Sequence, residues 1–187
     1  MIRFFDILFS FLGILFLSPV FLFLYIAIRL ESKGGGFYKQ LRVGRGETDF
    51  YVYKFRSMRI GADKQGLITV GGRDPRITRI GYFIRKYKLD ELPQLFNVLK
   101  GDMSLVGPRP LIESEIQTYY EDTHDVLLAV KPGVTGYWQA YARNNATYQS
   151  GERQKMEMYY VRNASLWLDI KILFKTVESV LKKSGAQ

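Results

Sequence analysis

The chain has 187 residues, a net charge of +9 and no cysteine. Its length fits one domain with a small appendage, and the lack of cysteine excludes disulfides, thiolate nucleophiles and thiolate metal sites. The positive charge suits nucleic acid, an anionic membrane surface or a phosphorylated substrate. The single histidine, His124, lies in an acidic, helix-like segment with no nucleophile beside it, so we interpret it as a surface residue.

Residues 4–28 form an apolar run that is long enough to cross a membrane and is interrupted by Ser18 and Pro19. Proline removes one helical hydrogen bond and usually bends a helix, and the Ser18 hydroxyl can bond to a backbone group that the break frees. Cations flank the run, with Arg3 before it and Arg29 after it. Positive flanks favour the cytoplasmic side of a membrane. A bent span and a re-entrant hairpin therefore both fit, and a cleaved signal peptide or a buried core helix fits less well.

The glycine-rich segment 32–36 predicts a boundary between a membrane segment, residues 1–31, and a second domain, residues 32–187. Runs rich in aromatic and β-branched residues follow at 37–43 and 50–58, and the turn residues between them predict a β-hairpin. Cations on the second run are expected to lie on a solvated face or to bind lipid headgroups. These cations are Lys54, Arg56 and Arg59.

Residues 62–76 are polar and predict a loop, after which Asp74-Pro75-Arg76 predicts the start of a helix over 77–87. This helix has an apolar face and several cations, a pattern that suits a membrane surface. It would bring Arg85 close to the acidic pair that follows it. That pair is Asp90 and Glu91.

The pair stands at the start of a short helical pattern, and Asp90 is predicted to be its N-cap. Pro93 falls in the first turn, and Lys100-Gly101 provides a stop. An isolated acidic pair is most often only a cap, but here Pro108-Arg109-Pro110 follows and holds an arginine on a stiff, extended segment. The pattern predicts a site for phosphate whose charge is balanced by a metal ion.

Three further elements complete the chain. Residues 111–130 predict a helix, and residues 135–145 predict a polar, aromatic loop. That loop is either a packed connector or a place where Arg143 reaches a phosphate and an aromatic ring stacks on a base. Residues 166–183 predict an amphipathic helix that packs on the domain or lies at the bilayer interface.

Residues 89–110 resemble the signature of the monotopic phosphoglycosyl transferases, which are also called the bacterial sugar transferase family. The resemblance covers nearly the whole chain, although Ala142 stands where relatives commonly have glycine before Arg-Asn. The other matching segments are Ser18-Pro19, 53–58, 131–136 and 159–161.

This resemblance implies an α+β fold that is predominantly α, with a re-entrant membrane hairpin bent at Ser18 and Pro19, a small β-hairpin and amphipathic interfacial helices. It implies a monotopic protein of the bacterial cytoplasmic (inner) membrane that faces the cytoplasm and contacts membrane lipids. The implied reaction transfers a phospho-sugar from a UDP-sugar donor to polyprenyl (undecaprenyl) phosphate, giving polyprenyl diphosphate sugar and UMP. This would be the first membrane step of glycoconjugate biosynthesis. The short chain resembles the small members that use N-acetylated amino sugars, including diacetylated bacillosamine.

On the same resemblance, Asp90 is the expected nucleophile, which would form an aspartyl phospho-sugar intermediate. Glu91 is the expected ligand of Mg²⁺, together with Asp90. Arg85 and Arg109 are expected to hold phosphate groups. The expected contacts to the nucleotide end of the donor are Arg143 and Asn144.

Two rival readings compete with this one. A non-enzymatic scaffold that binds anionic lipid would explain the charge and the amphipathic helices, but not the paired acids beside Pro108-Arg109-Pro110. A nucleic-acid-binding protein would leave the apolar N-terminal run without a purpose, so we expect no nucleic-acid partner. The sequence leaves open the particular UDP-sugar, the glycan pathway and the oligomeric state.

Overall fold

The computed structural model describes residues 2–62, 74–142 and 146–181. Within these ranges the chain is mostly helical, with one antiparallel and one parallel pair of strands. Short 3₁₀ turns occur at Arg45–Glu47 and Leu89–Glu91. The helices are α1 (Ile2–Glu31), α2 (Arg79–Lys86), α3 (Gln94–Lys100), α4 (Glu113–Tyr119), α5 (His124–Leu127), α6 (Tyr137–Tyr141), α7 (Glu152–Asn163) and α8 (Leu166–Leu181). The strands are β1 (Phe37–Val43), β2 (Asp49–Phe55), β3 (Ser104–Val106) and β4 (Gly133–Thr135).

Helix α1 is long and apolar enough to cross a membrane, with a mean hydropathy of 2.6 over its most apolar window. It contains Pro19, which cannot donate a hydrogen bond to the carbonyl of Leu15, four residues earlier. The Ser18 hydroxyl donates to that carbonyl oxygen at 2.8 Å. The prediction that Ser18 bonds to a backbone group freed by the proline is therefore confirmed.

Both ends of α1 are bonded to the rest of the protein. Near its start, the Arg3 guanidinium donates to the Leu99 carbonyl of α3 at 2.8 Å. At its end, the Glu31 carboxylate accepts from the backbone N–H groups of Arg79 and Ile80 in α2, at 2.6 and 2.9 Å. Apolar residues in the second half of α1 pack in one core cluster with Phe55 and Ile84, and they include Phe21, Leu24 and Ile28.

The predicted β-hairpin is confirmed. Strands β1 and β2 pair antiparallel from Phe37 opposite Phe55 to Val43 opposite Asp49. The inward side chain of Val52 is 1% exposed and packs in a cluster with residues of α3 and its C-terminal turn. The second strand ends at Phe55, three residues before its predicted end.

One predicted helix start, one predicted continuous helix and one predicted loop were wrong. Helix α2 begins at Arg79 rather than Ile77, because the Thr78 hydroxyl accepts from the Gly81 N–H at 2.9 Å and so caps the helix there. The predicted helix 111–130 is divided into α4 and α5, because the backbone leaves helical geometry at Tyr120, with φ of −135°, where the side chain is buried in the core. The predicted loop 135–145 instead contains α6, and the loop 62–76 falls mostly outside the described residues.

Strands β3 and β4 form a parallel pair that the sequence did not predict. Gly107, just after β3, and Gly133, at the start of β4, let the two backbones come into contact. A Cβ on Gly133 would lie 2.0 Å from the Gly107 nitrogen. The Gly107 N–H donates to the Thr135 carbonyl at 2.9 Å, and the Gly133 N–H donates to the Pro108 carbonyl at 2.8 Å. This crossing fixes the chain just before Arg109.

We expect Gly133→Ala to lower the free energy of unfolding by about 1–3 kcal/mol, because the new methyl group has no space between two backbones. Gly35→Ala is the matched control, since its Cβ would meet no atom closer than 3.9 Å. Thermal unfolding in detergent micelles, followed by circular dichroism, compares the two variants. Equal stability of both variants would contradict this account of the crossing.

Candidate active site

The acidic pair lies in the 3₁₀ turn Leu89–Glu91, between α2 and α3. Lys88 adopts the left-handed conformation, with φ of 59°, and this reverses the chain at the end of α2. The predicted N-cap role of Asp90 was wrong, because the turn starts at Lys88 and Pro93 occupies the N-cap of α3. Among the described residues, Asp90 Oδ1 is buried without a hydrogen-bond partner. The side chain is therefore available for chemistry rather than used as a cap.

Burial raises the pKa of Asp90 to about 6, and the neighbouring negative charge of Glu91 adds to the shift. Lys54, Lys88 and Arg85 oppose it. The upward shift means that these cations do not fully replace the water that the carboxylate has lost. Asp90 is thus mostly ionised at neutral pH but poorly solvated, which suits a nucleophile.

Lys54 projects from β2 between the two acids and the cations around them. Its ammonium nitrogen lies 3.7 Å from Glu91 Oε1. Burial lowers the pKa of Lys54, and the charge of Glu91 opposes that shift. The expected placement on a solvated face was wrong, since the side chain is only 20% exposed. Alternation along the strand could have shown this, because Lys54 shares a face with the buried Val52.

A cavity of about 330 Å³ lies on the Asp90 side of Lys54. Arg85 borders it, together with Arg56 and the ring of Phe55. This wall combines cations with apolar surface, as a site for an amphiphilic phosphate would require.

A narrower, polar cleft lies on the Glu91 side of Lys54. Arg109 borders it, with the buried amides of Gln94 and Gln139. Gln139 Oε1 is buried without a hydrogen-bond partner in the described part of the chain. Sequence reasoning did not identify either glutamine, because an amide in a short helix carries no distinctive pattern.

Arg109 is held through its backbone, as the prolines beside it predict. Its N–H donates to Glu157 Oε1 at 3.4 Å. The next carbonyl, that of Pro110, accepts from the Arg42 guanidinium at 3.1 Å, and the same guanidinium also meets Glu115 at 3.1 Å. Burial raises the pKa of Glu157, which is consistent with a carboxyl group enclosed in the core.

The structure brings four of the predicted site residues together and separates others from them. Asp90 and Arg85 border one cavity with Lys54, and Glu91 and Arg109 border the other cavity with Lys54. Arg143 and Asn144 lie outside the described residues. Ser18 and Pro19 lie in α1 and border neither cavity.

The acidic pair fits a divalent cation such as Mg²⁺. Two carboxylates offer hard oxygen ligands, and Mg²⁺ in phosphoryl-transfer sites usually binds one or two carboxylates together with substrate phosphates. Within the described part of the chain, Asp90 Oδ1 has no hydrogen-bond partner, so it can serve as a ligand atom. His124 lies on the surface in α5, as predicted, where its side chain is 38% exposed and faces Glu47 and Asp125.

Comparisons with known proteins agree with the geometry. A family model described as bacterial sugar transferase matches residues 1–183. An undecaprenyl-phosphate galactose phosphotransferase from Salmonella typhimurium is 43% identical, over 98% of this chain and 41% of its own length. A UDP-N-acetylgalactosamine-undecaprenyl-phosphate N-acetylgalactosaminephosphotransferase from Aeromonas hydrophila is 41% identical, over 97% of this chain and 44% of its own length. This chain therefore spans less than half of either relative.

A third relative is similar over most of its length. The exopolysaccharide production protein ExoY from Sinorhizobium fredii is 36% identical, over 98% of this chain and 87% of its own length. The similarity is thus not confined to larger proteins.

We expect Asp90 to titrate with a midpoint near pH 6 in the metal-free protein. Glu91→Gln should lower the pKa of Asp90 because it removes a neighbouring negative charge, and Lys54→Met should raise it because it removes a positive one. Carboxyl ¹³C NMR of protein labelled at aspartate measures both shifts. Asp122→Asn is the control: it removes an exposed carboxylate on another turn, so it should leave the pKa of Asp90 unchanged. A midpoint near 4 for Asp90 would show that the site is better solvated than the structure indicates.

Proposed function

The chain belongs to the bacterial sugar transferase family, and we therefore propose that it transfers a phospho-sugar from a UDP-sugar to polyprenyl (undecaprenyl) phosphate. The observation that carries the proposal is the half-buried Asp90, whose buried Oδ1 has no partner in the described residues and which lies beside Glu91 among cations. The names of the Salmonella and Aeromonas relatives support undecaprenyl phosphate as the acceptor.

In the proposed first step, ionised Asp90 attacks the phosphorus that bears the sugar. A bond forms between the carboxylate oxygen and that phosphorus. The bond from the phosphorus to the bridging oxygen breaks, and UMP leaves with the electron pair. In the second step an oxygen of polyprenyl phosphate attacks the phosphorus of the aspartyl phospho-sugar and forms a bond to it. The bond between that phosphorus and the Asp90 oxygen breaks, which restores the Asp90 carboxylate and gives polyprenyl diphosphate sugar. Dividing the displacement in this way replaces one difficult step by two easier ones.

The surrounding cations would offset the charge of the phosphates. Lys54 borders both cavities, so it is placed to contact a phosphate group on either side of Asp90. Arg85 and Arg109 would hold phosphates from opposite sides of the pair, in the two cavities that they border. We propose that Arg143 and Asn144 contact the nucleotide end of the donor.

We propose that Glu91, with Asp90, holds Mg²⁺. When bound, the ion would neutralise the diphosphate and stabilise the charge of the leaving UMP.

For the sugar, we propose an N-acetylated amino sugar. The Aeromonas relative is named for N-acetylgalactosamine and the Salmonella relative for galactose, at 41% and 43% identity. A test therefore has to include both classes of UDP-sugar.

We also propose that α1 is a re-entrant hairpin in the cytoplasmic (inner) membrane, bent at Ser18 and Pro19, with residues 32–187 on the cytoplasmic side. Arg3 and Glu31 stand at opposite ends of α1, and both are bonded to the same body. This supports entry and exit of α1 on one membrane face. A straight span would place its two ends on opposite sides of the bilayer, about 30 Å apart, where a body on one side would not bond to both.

The function is tested by UMP release from a panel of UDP-sugars with undecaprenyl phosphate and Mg²⁺. We expect Asp90→Asn to abolish release, at least about 10³-fold, because an amide is not a nucleophile here. Wild-type turnover should fall as Asp90 becomes protonated at low pH, with a midpoint below the value of about 6 expected without metal, because bound Mg²⁺ favours the ionised carboxylate. Asp122→Asn is the control and should retain full activity. Inertness of the wild type with every donor would instead favour a lipid-binding scaffold.

The topology is tested by labelling single-cysteine variants, which is straightforward because the chain has no cysteine. Ile2→Cys and Leu30→Cys, at the two ends of α1, should both resist a membrane-impermeant maleimide in intact spheroplasts and react after lysis. Phe16→Cys, near the bend, should stay unlabelled in both conditions because lipid surrounds it. Labelling of Ile2→Cys in intact spheroplasts would show a span instead of a hairpin.

A further inference from the structure

Asp6 is a buried carboxylate in an otherwise apolar stretch of α1. It is 4% exposed, and its oxygens accept from the Ser104 hydroxyl at 3.0 and 2.9 Å and from the Leu105 N–H at 2.9 Å. Both donors belong to β3. A carboxylate in such surroundings is costly unless it is hydrogen-bonded. Apolar residues such as Leu24 already attach α1 to the domain, so simple attachment does not require an acid.

The strand that Asp6 holds leads directly to the proposed phosphate-binding arginine. Only Gly107 and Pro108 separate the end of β3 from Arg109. Both are fixed against β4, through the Gly107 N–H and the Pro108 carbonyl. The segment from β3 to Pro108 is therefore one hydrogen-bonded unit with β4. A displacement of this unit at Leu105 would also move Arg109, which follows it directly.

A second carboxylate also holds the same strand, through a tyrosine. Asp169 of α8 accepts from the Tyr160 hydroxyl at 2.8 Å, and that hydroxyl lies 3.2 Å from the Val106 carbonyl oxygen. Because this contact and the pairing with β4 do not involve α1, β3 should remain folded when Asp6 is removed. Loss of Asp6 would then shift the strand rather than unfold it.

We propose that Asp6 is a positioning residue for phospho-sugar transfer: by holding β3 it sets the place of Arg109 relative to Asp90. The position of α1 in the membrane thereby affects the position of Arg109 in the active site. This inference rests on the proposed function, because it takes Arg109 to hold a phosphate of a substrate.

The test is a double-mutant cycle on kcat/KM for UMP release, with Asp6→Leu and Arg109→Lys. Asp6→Leu keeps α1 apolar and helical, so it should still insert into the membrane. We expect it to lower kcat/KM by about tenfold in the wild-type background, since a misplacement of about 1 Å can cost about 100-fold. In the Arg109→Lys background it should cost less than about twofold, because the group that it positions is already compromised.

A second pair of variants makes the test independent of how well Asp6→Leu folds. Ser104→Ala removes one of the two donors to Asp6, so it should lower kcat/KM about threefold in wild type and have little effect in Arg109→Lys. Ser10→Ala is the control, because Ser10 is buried in α1 with an unpartnered hydroxyl in the described structure. It should leave kcat/KM unchanged.

Three outcomes are distinguishable. Smaller losses in the Arg109→Lys background than in wild type would support the positioning role. Equal losses in both backgrounds, or wild-type activity in Asp6→Leu, would overturn it while leaving the proposed function intact. No UMP release from the wild type would overturn the proposed function, and the positioning role with it.

Discussion

The site depends on two adjacent, half-buried carboxylates that are balanced by cations from separate segments. Burying like charges side by side costs several kcal/mol per ion unless partners compensate. Here β2 supplies Lys54, α2 supplies Arg85, and the segment after β3 supplies Arg109. The raised pKa of Asp90 shows that the compensation is incomplete. The hairpin, α2 and β3 must therefore all pack correctly around one 3₁₀ turn to place these cations beside the two acids.

Helix α1, the proposed membrane segment, is bonded to the elements that provide this charge balance. Arg3 and Asp6 bond to α3 and β3, and Glu31 bonds to the first residues of α2. The helix thus contacts the elements that carry Arg85 and Arg109, on both sides of the acidic pair. A helix used only as an anchor would need none of these polar contacts. Their positions are consistent with one unit in which the membrane segment and the proposed catalytic centre form together.

Sequence reasoning predicted the parts that depend on local patterns. The hairpin follows from alternating apolar residues around a turn, and the acidic pair stands in one continuous signature with Arg109. It could not predict the β3–β4 pairing, because strands of three residues carry no periodicity and the contact depends on two distant glycines, Gly107 and Gly133. The contact from Asp6 to β3 could not be predicted either, because it depends on tertiary packing. The burial of Lys54, in contrast, follows from its place on the same strand face as Val52, and the sequence analysis overlooked it.

The proposed chemistry is tested most directly by intact-protein mass spectrometry of wild type mixed with a UDP-sugar and Mg²⁺ in the absence of any polyprenyl phosphate. A covalent intermediate predicts that the protein gains the mass of one phospho-sugar, that peptide mapping places it on Asp90, and that added polyprenyl phosphate removes it. Donor consumption that requires both substrates together, with no adduct at any time after rapid quenching, would contradict it. The acidic pair would then act in a single direct displacement.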